Sequence, residues 1–214
     1  MNRTCCHFGS ALLLLLVGAP VAAQATIEAG PVLGYYRPVG SFEPAPVHST
    51  SLPGEPQDLS GPAWGGEARI WFGGRVGAQL RITSATSEHE SVITPAGPTT
   101  PAEWRVTEGA AQVLIGVVSR PGAYRVWLSA GPGFVRHSGE AFEEAGSQLD
   151  VAGVVGVGGS IPLSSAISAT AGFTASFYSY DVAMPSDLQE NGESLQKGSQ
   201  QDELFHIGLN WVWH

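Results

Sequence analysis

From residue 204 to its end the chain alternates strictly. Phe205, Ile207, Leu209, Trp211 and Trp213 hold one parity, and His206, Gly208, Asn210, Val212 and His214 the other. Successive side chains of a strand point to opposite faces, so this segment predicts a strand with one apolar face and one face of polar or small groups. A half-buried edge strand of a soluble sandwich has the same period. The alternation recurs upstream and predicts eight strands in all, near 26–38, 63–73, 76–87, 104–117, 123–136, 149–160, 166–180 and 204–214. The connections also alternate. They are short at 73–75, 118–122 and 161–165, and long at about 41–62, 88–103, 137–148 and 181–203. An even strand number with tight turns on one side and long loops on the other is how outer-membrane barrels are organised.

No 3.6-residue periodicity persists long enough to predict a helix in this part of the chain, which is rich in Gly and Pro. The first 25 residues differ. Arg3 precedes the apolar run 11–17, and Ala22, Ala23 and Ala25 follow in the layout of a secretory signal peptide. The apolar run is broken by Gly18 and Pro20 and falls short of the roughly 20 residues of a spanning helix. The expected division is therefore a signal peptide at 1–25 and a barrel domain at 26–214. Cys5 and Cys6 would leave with the signal, so no disulfide or thiolate metal site is expected afterwards.

Charge sharpens the picture. Of the 19 acidic residues, 15 fall in the four segments read as long loops, while Glu28, Glu67, Glu108 and Asp150 fall in strands, each with the parity opposite to its strand's apolar face. Arg69, Arg81 and Arg125 share that inward parity with Gln79, Gln112, Thr170, Thr174, Tyr178, His206 and Asn210. A lipid-facing arginine at mid-plane costs about 2–4 kcal/mol, so these groups belong inside a barrel. Eight strands enclose a space that side chains fill, which predicts a paired polar lumen of Glu28, Glu67, Arg69, Gln79, Arg81, Glu108, Gln112, Arg125, Asp150, His206 and Asn210. Trp64, Phe205, Trp211 and Trp213 fall on the other face, as membrane-interface aromatics. Arg105 and Thr107 depart from the rule and face outward unless a bulge or the headgroup zone accommodates them. A soluble lipocalin-like barrel inverts this arrangement, and with so few exterior charges it would be sticky.

The fold class is thus all-β: an eight-stranded antiparallel up-and-down transmembrane barrel with a polar packed lumen, exported to the outer membrane. The signal peptide, the eight strands, the tight turns alternating with acidic loops, and the aromatic last strand resemble the small outer-membrane β-barrel family that includes OmpA-like and OmpX-like proteins. The resemblance implies insertion by the barrel-assembly machinery, with the last strand as its recognition signal. That family usually ends in Phe, whereas this chain ends Trp213-His214.

Three functions compete. The first is a structural or surface-interaction scaffold acting through its loops: loss of Arg3 with the signal takes the net charge from −9 to −10, so the outer rim should attract cations or basic partners and repel nucleic acid. The second is a lipid-modifying enzyme resembling lipid A deacylases, for which His137-Ser138-Gly139-Glu140 is the available string. Adjacent strand residues face opposite ways, so a regular strand separates that His from that Ser. The third is a narrow pore, in which Gly30, Gly34, Gly156, Gly158, Gly172 and Gly208 thin the lumen filling; close packing is the competing use of those glycines. The six histidines show no metal-ligand spacing, and residues 153–158 lack the helix and Lys of a nucleotide loop. Asp187, Glu190, Asn191 and Glu193 lack EF-hand spacing. The reading is a non-enzymatic scaffold in contact with outer-membrane lipid, with no catalytic residues, no cofactor and no metal.

Overall fold

The computed structural model describes residues 25–39, 60–73, 75–89, 102–120, 123–139, 148–183 and 195–213. The segment read from sequence as a signal peptide and the centres of the four long connections lie outside the described residues. The eight strands are β1 (Thr26–Val39), β2 (Gly61–Phe72), β3 (Val76–His89), β4 (Ala102–Arg120), β5 (Tyr124–Gly139), β6 (Gln148–Pro162), β7 (Ile167–Ala183) and β8 (Leu195–Trp213). Each pairs antiparallel with its sequence neighbours, and β1 pairs with β8, closing the barrel in up-and-down order. Closure leaves no free sheet edge, as a strand-built object in hydrocarbon requires.

Alternation becomes geometry directly. Leu33, Trp64, Leu80, Ile82, Val113, Ile115, Leu128, Val151, Ile207 and Leu209 are more than half exposed on the outer face, whereas Glu67, Arg69, Gln79, Gln112 and Asn210 are at most 5% exposed. The barrel is apolar outside and polar inside. On β5 the outward apolar run reaches from Tyr124 to Phe134, ten residue steps. At about 3.3 Å per residue and a tilt of about 40°, that spans about 25 Å, the height of a lipid-facing band.

The turns explain the short connections. Gly73, between β2 and β3, has φ +60°, a left-handed conformation that glycine adopts without Cβ strain. After β6 the chain turns through 163–166, where Leu163 and Ser164 donate backbone hydrogen bonds to the Ile167 carbonyl. Between β4 and β5 the register shifts at the Gly116/Val118 bulge. The register is regular at the other end of β4, where Thr86, Arg105 and Ser138 stand in one row. Arg105 and Thr107 therefore face outward without a bulge.

Several strands outrun the boundaries expected from sequence, and the largest difference is at β7–β8. The segment expected to be loop from 181 to 203 contains paired strand, with Asp181 opposite Lys197 and Ala183 opposite Leu195. Its alternation is polar against polar, so a search for apolar faces passes over it. Five acids expected in loops, Glu88, Glu103, Asp181, Asp202 and Glu203, are in strands.

Candidate functional site

The lumen is stacked in three layers. At the end that carries the short turns, Trp71, Leu114 and Trp127 are 1%, 0% and 3% exposed and close the floor. The two indoles meet edge to face, with ring centroids 5.7 Å apart. Arg125 lies 4.2 Å from the Trp71 ring centroid and Arg69 lies 4.8 Å from that of Trp127. Cation–π contact favours burying these guanidiniums against aromatic faces. Glu28 neutralises both, with one carboxylate oxygen 3.2 Å from Arg125 Nη1 and the other 3.4 Å from Arg69 Nη2.

The middle layer is built round Glu67. Arg69 Nη2, Gln79 Nε2, Thr170 Oγ1 and Asn210 Nδ2 donate to its carboxylate at 2.9, 3.0, 3.1 and 3.1 Å. The donors come from β2, β3, β7 and β8, so one carboxylate ties together strands far apart in sequence. Beside it Arg81 donates to Thr174 at 2.8 Å, and Gln112 donates to Ser129 at 3.0 Å.

The outer layer mixes a small apolar core with a second polar network. Tyr36, Ala63, Ala85, Val106, Val135, Ala152, Val154, Tyr178 and Leu204 form the apolar part. Within it the Tyr178 hydroxyl donates to Asp202 at 2.8 Å, and Gln200 Nε2 donates to the other Asp202 oxygen at 3.1 Å. His137 Nε2 is 3.3 Å from the same hydroxyl. His137 Nδ1 faces Asp150 at 4.0 Å, so the ring lies between the Tyr178 hydroxyl and a carboxylate.

The lumen residues named from sequence therefore all point inward. Glu28, Glu67, Arg69 and Arg125 meet directly, while Gln79 and Asn210 join through Glu67. Arg81, Glu108, Gln112 and His206 occupy the middle, and Asp150 stands in the outer layer beside His137. The aromatics Trp64, Phe205, Trp211 and Trp213 are exposed on the outer face. Trp64 pairs in register with Ser84 and Phe205 with Tyr35 toward the long connections, and Trp213 pairs with Ile27 at the opposite end.

Sequence reading does not single out Trp71, Trp127, Tyr36, His137 or Asp202 as lumen groups. Parity is the signal that finds them: Trp71 matches Glu67 and Arg69, Trp127 matches Arg125, and Asp202 matches His206.

The inward glycines serve contact. An added Cβ at Gly158 would fall 2.6 Å from the Trp127 ring, and one at Gly172 would fall 2.6 Å from the His206 ring. They make room for large side chains in a narrow cylinder. The His137–Ser138 pair does not assemble either: His137 is buried in the lumen, while the Ser138 hydroxyl donates to the Arg105 carbonyl oxygen at 3.4 Å. Among the described residues no group of three or more His, Cys, Asp or Glu is placed to hold a metal ion.

An inside-out barrel of eight up-and-down strands, apolar where it meets its surroundings and hydrogen-bonded within, has the fold of the small eight-stranded outer-membrane β-barrels. Among solved structures, the chain is similar to Neisserial surface protein A, with a TM-score of 0.52 at 9% identity over 87% of this chain and 96% of that one. It is also similar to the outer membrane protein OprG from Pseudomonas aeruginosa, with a TM-score of 0.50 at 13% identity over 90% and 97% of the two chains. A major outer membrane protein from Thermus thermophilus likewise matches at 0.50, with 13% identity over 89% and 100%. No family model and no curated protein sequence matches the chain.

Proposed function

We propose that this outer-membrane barrel is a non-enzymatic platform inserted by the barrel-assembly machinery, and that its work is done by the acidic segments at its outer end. The observation that carries the reading is a charge asymmetry. The four outer connections, 40–60, 90–101, 140–147 and 184–194, contain ten acidic residues and no Lys or Arg. Such a rim attracts cations and basic partners and repels nucleic acid. A lumen filled with buried, hydrogen-bonded side chains supports a platform over a conduit, and the separation of His137 from Ser138 supports a platform over a deacylase-like enzyme.

The experiment is membrane fractionation with electrophoresis of boiled and unboiled samples. The expected result is a band in the outer-membrane fraction whose mobility changes on heating. A soluble periplasmic protein with unchanged mobility would remove the membrane placement and with it the platform reading.

A further inference from the structure

On the outer wall of β2–β5 the apolar band is interrupted by a groove of about 660 Å³. Its floor is made of small outward residues, Gly66, Ala68 and Ala111, and its walls of Leu80, Ile82 and Phe134. Immediately toward the long connections the same strands change character. The row Ser84, Thr107, Arg136 follows the row Ile82, Gly109, Phe134, and the row Thr86, Arg105, Ser138 comes next. Ser84 and Thr107 hydroxyls are 3.4 Å apart, and both arginines are exposed on the lipid-side face.

An apolar groove opening below two guanidiniums and four hydroxyl residues is complementary to an amphiphile with an acyl chain and an anionic headgroup. We propose that the β2–β5 wall is a binding site for one phosphorylated membrane lipid, its chain in the groove and its phosphate held by Arg105 and Arg136. Guanidinium suits this role because its fork of donors matches phosphate oxygens. Elsewhere on the exterior Arg37 faces Glu203 in register, away from the residues that line this groove.

The site rests on the membrane placement proposed above, and the test separates the two. Each variant is first folded into phosphatidylcholine vesicles and checked for a heat-modifiable band. Native mass spectrometry of the barrel released in neutral detergent then follows titration with phosphatidylglycerol or phosphatidylcholine. The expected result is a single retained phosphatidylglycerol with clear preference over phosphatidylcholine. Each arginine contributes about fivefold, so Arg105→Gln with Arg136→Gln weakens phosphatidylglycerol binding on the order of 25-fold. Arg37→Gln leaves it unchanged. Gly66→Leu weakens retention with both arginines present; a Cβ there meets only the Gly30 carbonyl oxygen, at an ordinary 3.6 Å, and the heat-modifiable band checks that the variant folds.

Equal binding of the two lipids, or no loss in the double arginine variant, overturns the site while leaving the membrane placement standing. Displacement of the lipid by inorganic phosphate at equal concentration would make it a soluble-anion site, and a dimer abolished by Gly66→Leu would give the groove to a second copy; either overturns the proposal. Failure to fold into vesicles overturns the placement and the site together.

Discussion

Glu67 shows how one buried charge is made tolerable at the scale of a residue. Four donors surround its carboxylate at 2.9–3.1 Å, so its desolvation is offset by directed hydrogen bonds, one of them from a guanidinium. Glu67→Ala would take the acceptor from Gln79 and one partner each from Arg69, Thr170 and Asn210, leaving Arg69 to Glu28 alone, and the expected loss is about 3–5 kcal/mol. Urea unfolding of the barrel in phosphatidylcholine vesicles measures it, and a loss below about 1 kcal/mol would show the network to be loosely held. Glycines give a paired comparison. Gly158→Ala drives a Cβ into the Trp127 ring and should cost about 1–3 kcal/mol, whereas Gly153→Ala has nothing within 4 Å and should stay within about 0.5 kcal/mol. Equal effects at the two positions would remove close packing as the reason for the lumen glycines. These residue roles are unevenly legible in the sequence. Parity places Glu67 and Arg69 inside, but parity cannot say which donors converge on one carboxylate, because Thr170 and Asn210 lie 103 and 143 residues away from it.

Strands are legible wherever they cross between unlike environments. β3 shows outward Val76, Ala78, Leu80 and Ile82 against inward Gln79, Arg81 and Thr83, and that contrast predicts both the element and its facing. The contrast fades where both faces meet polar surroundings, which is why the outer pairing of β7 with β8 reads as loop and why Asp202 counts, by sequence alone, with the surface acids. The same reasoning yields a depth test. Val155 is at the middle of the outward run of β6, so Val155→Arg should destabilise the barrel in vesicles by about 2–4 kcal/mol. Ser84 stands in the polar row beside Thr107 and Arg136, so Ser84→Arg should cost about 0–1 kcal/mol. Equilibrium unfolding of the two variants in one lipid checks the difference, and equal costs would mean that the apolar run does not face hydrocarbon.

At the scale of the whole molecule, the charges are sorted by height. Arg69 and Arg125 are held inside against Glu28 and Glu67, and Arg37, Arg105 and Arg136 stand on the exterior toward the long connections, while the segments beyond are acidic without a compensating Lys or Arg. A field of one sign raises the local concentration of basic partners, but only within a Debye length, about 10 Å at 0.1 M salt and 3 Å at 1 M. Proteoliposomes of the folded barrel should therefore bind polylysine at low ionic strength and release it as salt rises. Neutralising one connection, with Glu140→Gln, Glu143→Gln and Glu144→Gln together, should weaken that binding without altering the heat-modifiable band, because these residues lie beyond the ends of β5 and β6. Surface plasmon resonance on captured proteoliposomes reads both effects. Binding that ignores salt, or that survives the triple substitution unchanged, would detach the acidic connections from the protein's interactions and leave the barrel wall as the surface that matters.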